Sequence, residues 1–270
     1  MLNLCTIASG SSGNCSYVGI GGENFLVDAG VSGKTIENAL FMRNIRNIHG
    51  IFITHEHRDH IVGAGVMARR FKLKLYATPH TWRYFANHKS LGALDAPQIN
   101  IIEPQKPINI NGVKITAFDI SHDAAQPVGY TFECDGRKIA TATDLGCVTD
   151  NVRHHLKDSD MILLESNHDP MMLQNGPYHQ GLKDRVASPR GHLSNAQAGA
   201  LLAEVASPKL QHIALAHLSE DNNTPYTAFE TVKNILDAHS IRIKTLAVAE
   251  RNKPGEMMQV WLSPPPNSKP

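Results

Sequence analysis

The chain carries almost no net charge: 26 Lys and Arg stand against 25 Asp and Glu in 270 residues, which leaves +1 at neutral pH. A protein that holds nucleic acid by bulk charge shows a basic excess, so binding of that kind must rest here on a local patch. Cysteine is scarce as well. Cys5, Cys15, Cys134 and Cys147 show no C-x-x-C spacing and fall mostly in apolar or strand-like stretches. They read as buried free thiols of a reducing compartment. No run approaches the roughly 18 apolar residues of a membrane span. No charged-then-apolar leader opens the chain, because residues 1–8 already read as a strand. The sequence therefore predicts a cytoplasmic protein with no membrane partner. Repeats, heptads and long linkers are missing too, so a single domain over 1–263 with a Pro-rich tail at 264–270 is expected.

What the chain does contain is alternation. Residues 2–8, 15–20 and 23–28 read as strands separated by SGSSGN and by Gly21-Gly22, an antiparallel meander. Ser32 suits the cap of a helix running to about Met42, whose Ile36, Ala39 and Leu40 share a face. HGIFIT is a short apolar strand fit for the middle of a sheet. Helical patterns follow at 63–71 and 79–89 around the strand LKLYAT, then a Pro-punctuated stretch over 97–112. Strands are predicted at VKITAFDI, VGYTFECD, RKIATATD, MILLES and HIALAH, and near 242–249 and 257–262. Helices are predicted near 149–157, 178–188, 194–206 and 226–239. Strands with few helices, then alternating strands and helices, twice over, predict two mixed sheets with helices outside.

Histidine is plentiful, at 15 residues, and it clusters at strand ends. The run His55-Glu56-His57-Arg58-Asp59-His60 follows a buried strand. In extended backbone residues i and i+2 project to one side, so His55 and His57 can face one ion while the next turn brings Asp59 and His60 toward a second. Imidazole with carboxylate suits Zn, Mn or Fe and not Ca or Mg. His122, Asp144 and His217 each stand just past a predicted strand, which adds them to the same set. A lone histidine is more often a structural hydrogen-bonder; it is the ordered series that carries the signal.

In that order, Asp28 in LVDAG, the THEHRDH run, His122, Asp144 in ATDLG and His217 in LAHLS resemble the metallo-β-lactamase fold hydrolases over nearly the whole chain. The resemblance implies an α/β fold of αββα layering and two divalent metal ions. One ion would take His55, His57 and His122, the other Asp59, His60 and His217. Asp144 would bridge them, and Asp28 would orient a ligand from behind. SGSSGN, ESNHD at 165–169, GHLSN at 191–195 and HLSEDNN at 217–223 are similar to the YycJ/WalJ/VicX subfamily, whose members are associated with exonuclease action on DNA.

That resemblance implies a phosphodiester hydrolase of the 5′-3′ DNA exonuclease type, with DNA favoured over RNA as partner. A metal pair makes a water nucleophile available at neutral pH without serine or cysteine. By likeness to ribonuclease Z, His192 would be the general acid and Glu165 its support, with Asp59 as the catalytic metal carboxylate. Ser11, Ser12 and Asn14 of the glycine loop are candidate oxyanion donors, and His168, Asn222 and Asn223 candidate substrate or loop contacts. Arg58, Arg69, Arg70, Lys183, Arg185 and Arg190 are the cations available to follow a nucleic-acid backbone. Two alternatives use the same residues: a small ester, thioester or lactam hydrolase, and a non-enzymatic protein stapled by its metals. Only 72 residues lie between Asp144 and His217, too few for the extra domain of the β-CASP nucleases.

Overall fold

Alternating apolar strands and amphipathic helices resolve into four layers. A computed structural model describes residues 1–261. The N-terminal part supplies β1 (Leu2–Ala8), β2 (Cys15–Ile20), β3 (Glu23–Val27), β4 (Ile48–Phe52), β5 (Lys74–Ala77) and β6 (Ile99–Ile101). Then come β7 (Ile108–Ile110), β8 (Val113–Asp119), β9 (Val128–Cys134), β10 (Arg137–Ala142), β11 (Met161–Glu165), β12 (His212–Ala216) and β13 (Thr245–Val248). β14 (Met258–Val260) returns to pair with β1.

The two sheets have seven strands each, in the orders β14-β1-β2-β3-β4-β5-β6 and β13-β12-β11-β10-β9-β8-β7. Both are antiparallel on one side and parallel on the other, with the change of sense at β3 and at β10. The antiparallel sides are joined by tight turns at Gly21-Gly22, Asn111-Gly112 and Asp135-Gly136. Both central residues of each have positive φ, the geometry that a right-twisted hairpin needs. The parallel sides need crossovers, and the helices supply them. These are α1 (Gly33–Met42), α2 (Arg58–Ile61), α3 (Ala64–Phe71) and α4 (Pro79–His88) on the first sheet. On the second they are α5 (Asp150–Leu156), α6 (Pro170–Asn175), α7 (Gln180–Ala187), α8 (Asn195–Val205) and α9 (Pro225–Ala238).

Three apolar clusters hold the layers. The central one lies between the sheets and is built on Phe25, Phe52, Tyr130 and Phe132. Phe52 stacks on Tyr76 with ring centroids 4.5 Å apart and meets Tyr130 and Phe132 edge-on. Each such ring contributes about 1.5–3 kcal/mol by leaving water. The buried Tyr130 hydroxyl donates to the carbonyl of Ile53 at 2.6 Å, so its polar end is satisfied. The other clusters seat the helices: α1, α3 and α4 on the first sheet, α5, α8 and α9 on the second. The αββα arrangement expected from the sequence is the one observed.

Local differences have physical reasons. The run after β4 is not extended throughout, because Arg58–Ile61 forms a single helical turn, too short to leave a periodic signal. The stretch over 97–112 contains a 3-10 turn at Ala96–Gln98 and two three-residue strands, β6 and β7, that proline spacing obscures. α6 lies ahead of the helix expected at 178–188. Asp169 caps it by accepting from the amides of Met171 and Met172, and Pro170 fills its first position. Of the four cysteines, Cys5 and Cys15 are buried, whereas Cys134 and Cys147 are half-exposed. The tail over 264–270 lies outside the described residues.

Candidate metal centre

Five of the rim side chains stand just past a strand, while His57 caps α2 and Asp59 and His60 lie within it. β3 ends into Asp28, β4 into Thr54 and His55, β8 into His122, β10 into Asp144 and β12 into His217. Asp28, Asp144 and His217 adopt left-handed backbone, at φ of 61°, 62° and 57°. For non-glycine residues this conformation costs on the order of 1 kcal/mol, and the surrounding structure must impose it. It turns the chain sharply, so that the side chain faces the rim and not the next strand position.

The first sheet builds its half of the rim around Asp28. One carboxylate oxygen accepts from the amide of Thr54 at 2.8 Å; the other accepts from the Thr54 hydroxyl at 2.9 Å and from His60 Nδ1 at 2.7 Å. Because the Thr54 hydroxyl gives its single proton to Asp28, it accepts from His55 Nδ1, 2.9 Å away. Both imidazoles therefore keep their Nε2 atoms toward the centre. The neighbouring loops are laced by backbone bonds. Asn14 N–H donates to Asp59 C=O and Gly30 N–H to Asn14 C=O, both at 2.7 Å, and Ala29 N–H donates to His60 C=O at 2.8 Å. Gly30 permits the approach, since a Cβ there would sit 1.6 Å from the Asp59 carbonyl oxygen.

The rim gathers two neighbouring sets. His55, His57 and His122 have ligand atoms within 4.8 Å of one another, and so do Asp59, His60 and His217. Asp144 stands between them, 3.7 Å from His122 Nε2, 3.4 Å from His60 Nε2 and 3.5 Å from His217 Nε2. His55 Nε2, His217 Nε2 and Asp144 Oδ2 are buried with no hydrogen-bond partner. Each buried orphan costs about 1–3 kcal/mol. Three aimed at one space fit a pair of divalent cations, and the donor chemistry fits Zn, Mn or Fe.

Without metal the two sets differ in charge. Burial pushes the His55 imidazole well below its usual value, with the neighbouring imidazoles of His60 and His122 adding to the effect. His122 is also lowered by burial, against the pull of Asp144. In the second set burial is outweighed by carboxylates. Asp144 and Asp28 raise His60 well above its usual value, and Asp144, Asp59 and Glu165 raise His217 to about 10. Burial likewise fails to prevail at Asp59, where the imidazoles of His217 and His60, 3.7 and 3.4 Å away, hold the carboxyl well below the usual range.

Behind the rim sits Glu165, fully buried at the end of β11. Its Oε1 accepts from His192 Nδ1 at 2.8 Å and from His217 Nδ1 at 2.9 Å. Its Oε2 accepts from the amides of Leu145 and Leu193. With four donors the carboxyl stays ionised, below the usual range despite its burial. The His192 ring lies 5.2 Å from both His122 and His217, between the two sets.

Other expected residues take different places. Asn14 points inward, its amide nitrogen 3.2 Å from Asp59 Oδ2 and 3.1 Å from His60 Nε2. Ser11 and Ser12 stay exposed, and Ser11 accepts from Arg251 at 3.4 Å. His168 is buried and packed beneath the rim, its backbone bridged to Ser194 and its Nδ1 without a partner. Asn222 bonds Ser219, and Asn223 bonds the backbone of Ser166 and Asn167 together with Asn195; neither side chain reaches the His217 ring. The cap of α9 is Thr224. Arg69, Arg70 and Lys183 are tied to Leu91 C=O, Glu37 and Gln174 C=O respectively. Sequence reasoning missed Thr54, whose signal was its place beside the first histidine. It also missed Asp123, whose Oδ1 lies 3.3 Å from His122 Nε2.

Two mixed sheets packed face to face, helices outside and a His/Asp cluster at one rim define a metal-site protein of the metallo-β-lactamase fold. The beta-lactamase superfamily domain profile matches residues 23–217, and the chain belongs to that family. It is 40% identical over 239 residues to exodeoxyribonuclease YycJ of Bacillus anthracis, covering 87% of this chain and 89% of the relative. It is 39% identical over 232 residues to exodeoxyribonuclease WalJ of Streptococcus pneumoniae, covering 85% and 86%. Among solved structures, zinc-bound PqqB of Methylobacterium extorquens superposes with a TM-score of 0.71 at 15% identity, over 96% of this chain and all of that one. The short form of human tRNase Z gives 0.65 at 14% identity, over 96% and 100%. These two likenesses show the fold alone. No helix among the described residues is long and apolar enough to cross a membrane.

Proposed function

We propose that the protein is a two-metal phosphodiesterase that acts as a DNA exonuclease of the 5′-3′ type, within a single domain, in the reducing environment that its free cysteines suit. The observation that carries the reading is the pair of ligand sets meeting at Asp144, together with the relatives named exodeoxyribonucleases. His55, His57 and His122 would hold one ion, Asp59, His60 and His217 the other, with Asp144 shared between them. When bound, such a pair polarises a phosphoryl oxygen and lowers the pKa of water to about 7.

The chain's own residues do the rest. Asp28 and Thr54 fix the tautomers of His55 and His60, so that both offer a lone pair inward. Glu165 fixes His217 in the same way. It also accepts the hydrogen bond of His192 Nδ1–H, which turns Nε2 of that ring outward to deliver a proton toward the leaving alkoxide. His192 Nε2 makes no hydrogen bond among the described residues, and the side chain is 20% exposed, so the proton can be replaced from solvent.

The test is turnover on end-labelled single-stranded and duplex DNA and RNA, using metal-free protein refilled with Mn or Zn. The reading expects stepwise shortening of DNA from its 5′ end. Hydrolysis of thioesters with no action on nucleic acid would overturn it in favour of a small-ester hydrolase on the same metal pair.

A further inference from the structure

The segment over 185–191 wraps the loop that carries His122. The Ser121 hydroxyl donates to Pro189 C=O at 2.7 Å, and His122 Nδ1 lies 3.2 Å from Gly191 C=O. Two arginines of this segment flank the same ligand. Arg190 donates through Nε and one terminal nitrogen to His122 C=O, at 3.3 and 3.2 Å. Arg185 donates through Nε to Asp123 Oδ2 at 2.6 Å, and the other oxygen of Asp123, buried and without a hydrogen-bond partner, lies 3.3 Å from His122 Nε2. One carboxylate thus aims a guanidinium at the edge of the His55, His57 and His122 set.

Both arginines are exposed, and both keep donors in reserve. Neither terminal nitrogen of Arg185, and not the second terminal nitrogen of Arg190, has a partner among the described residues. By contrast Arg69 and Lys183 are committed to backbone carbonyls elsewhere. The two free terminal nitrogens of Arg185 match the oxygens of a phosphate in two parallel bonds, and Arg190 adds a single terminal nitrogen beside them.

We propose that Arg185 and Arg190 form a clamp for the phosphate next to the scissile one, so that a chain of nearly zero net charge binds a polyanion through a local patch at its metal rim. The inference rests on the nuclease reading and names the residues that meet the polymer. Asp123 is a positioning residue, since it acts through Arg185.

The experiment measures KM and kcat of the holoenzyme on a labelled single-stranded oligonucleotide between about 50 and 200 mM salt. Each lost phosphate contact lowers the slope of log KM against log salt by about 0.7. Arg185→Ala and Arg190→Ala are expected to show that loss and to raise KM about tenfold while kcat changes less than about threefold. Arg185→Lys keeps the charge, so it should keep the slope and lose only part of the affinity. Arg153→Ala removes a comparable exposed ion pair, with Glu204 at the far end of α8, and should move neither quantity. The pairs of Arg185 and Arg153 contribute about 0–1 kcal/mol to folding and the hydrogen bonds of Arg190 to His122 C=O about 0.5–1.5 kcal/mol each, so these variants fold, which cooperative unfolding checks. Wild-type protein that cleaves DNA while both alanine variants keep its slope and KM overturns the clamp alone. Wild-type protein that cleaves no oligonucleotide overturns the nuclease reading and the clamp with it.

Discussion

Glu165 accepts a hydrogen bond from His192 at 2.8 Å with the same oxygen that holds His217. The group assigned to protonate the leaving oxygen and a ligand of the second metal set therefore share one buried carboxylate. Removing His192 alone should cost the proton transfer and leave the metals in place. His192→Ala is expected to lower kcat about 100 to 10,000-fold with unchanged metal content. Glu165→Gln should lower both, because an amide cannot accept from two imidazoles while keeping its bonds to Leu145 and Leu193. Elemental analysis beside kinetics separates the two outcomes, and equal metal loss in both variants would contradict the assignment.

Asp28 touches no space where an ion would sit, yet it orients His60 directly and His55 through Thr54. Partners of this kind typically govern metal affinity by about 10 to 100-fold. Asp28→Asn should weaken metal binding by that amount, measured by competition with a chelating dye. A variant that binds as tightly as wild type would contradict the role.

The two ligand sets should differ in their proton balance. His55 and His122 are held below the usual histidine value and enter metal binding already neutral at pH 7. His60 and His217 are raised, the latter to about 10, so each must release a proton when Nε2 takes a metal. Filling the second set is therefore expected to release roughly two protons at pH 7 and to weaken as pH falls. The sign is opposite for the metal-free protein: the raised pKa of His217 adds stability present below pH 6.5 and lost as pH rises toward about 10. Calorimetry in buffers of different ionisation heat reads the proton count. Equal release from both sets would be the contrary result.

Gly30 meets the Asp59 carbonyl so closely that a methyl group cannot be accommodated without moving that loop. Gly30→Ala should lower the melting temperature and deplete the second set before the first. Spectroscopy of a cobalt-substituted protein would resolve the sequence of loss, and full retention of both ions would refute the role of this approach.

Much of this was readable beforehand, for identifiable reasons. A buried strand must stop before polar residues begin, so HGIFIT running into His55 and LQHIALA running into His217 marked the rim from pattern alone. Which histidine faces which ion depends on tautomer, and tautomer depends on Thr54 beside His55 and on Asp28 and Glu165, whose contacts cross 26 to 52 residues of chain. No local periodicity encodes such partners. The α2 turn and the short strands β6 and β7 were hidden for a different reason: three or four residues cannot display a period. Asn14 shows the limit of motif reasoning, since a serine- and glycine-rich loop suggested oxyanion donors, whereas its amide serves Asp59.

The central claim is that two cations are clamped at this rim and that both are needed for hydrolysis. Metal content and DNA turnover should be measured together on wild-type protein and on Asp59→Ala and His60→Ala. The account predicts two equivalents per chain in the wild type, about one in each variant, and turnover lost in both while unfolding stays cooperative. Near-normal turnover in either variant with the second equivalent missing would contradict it.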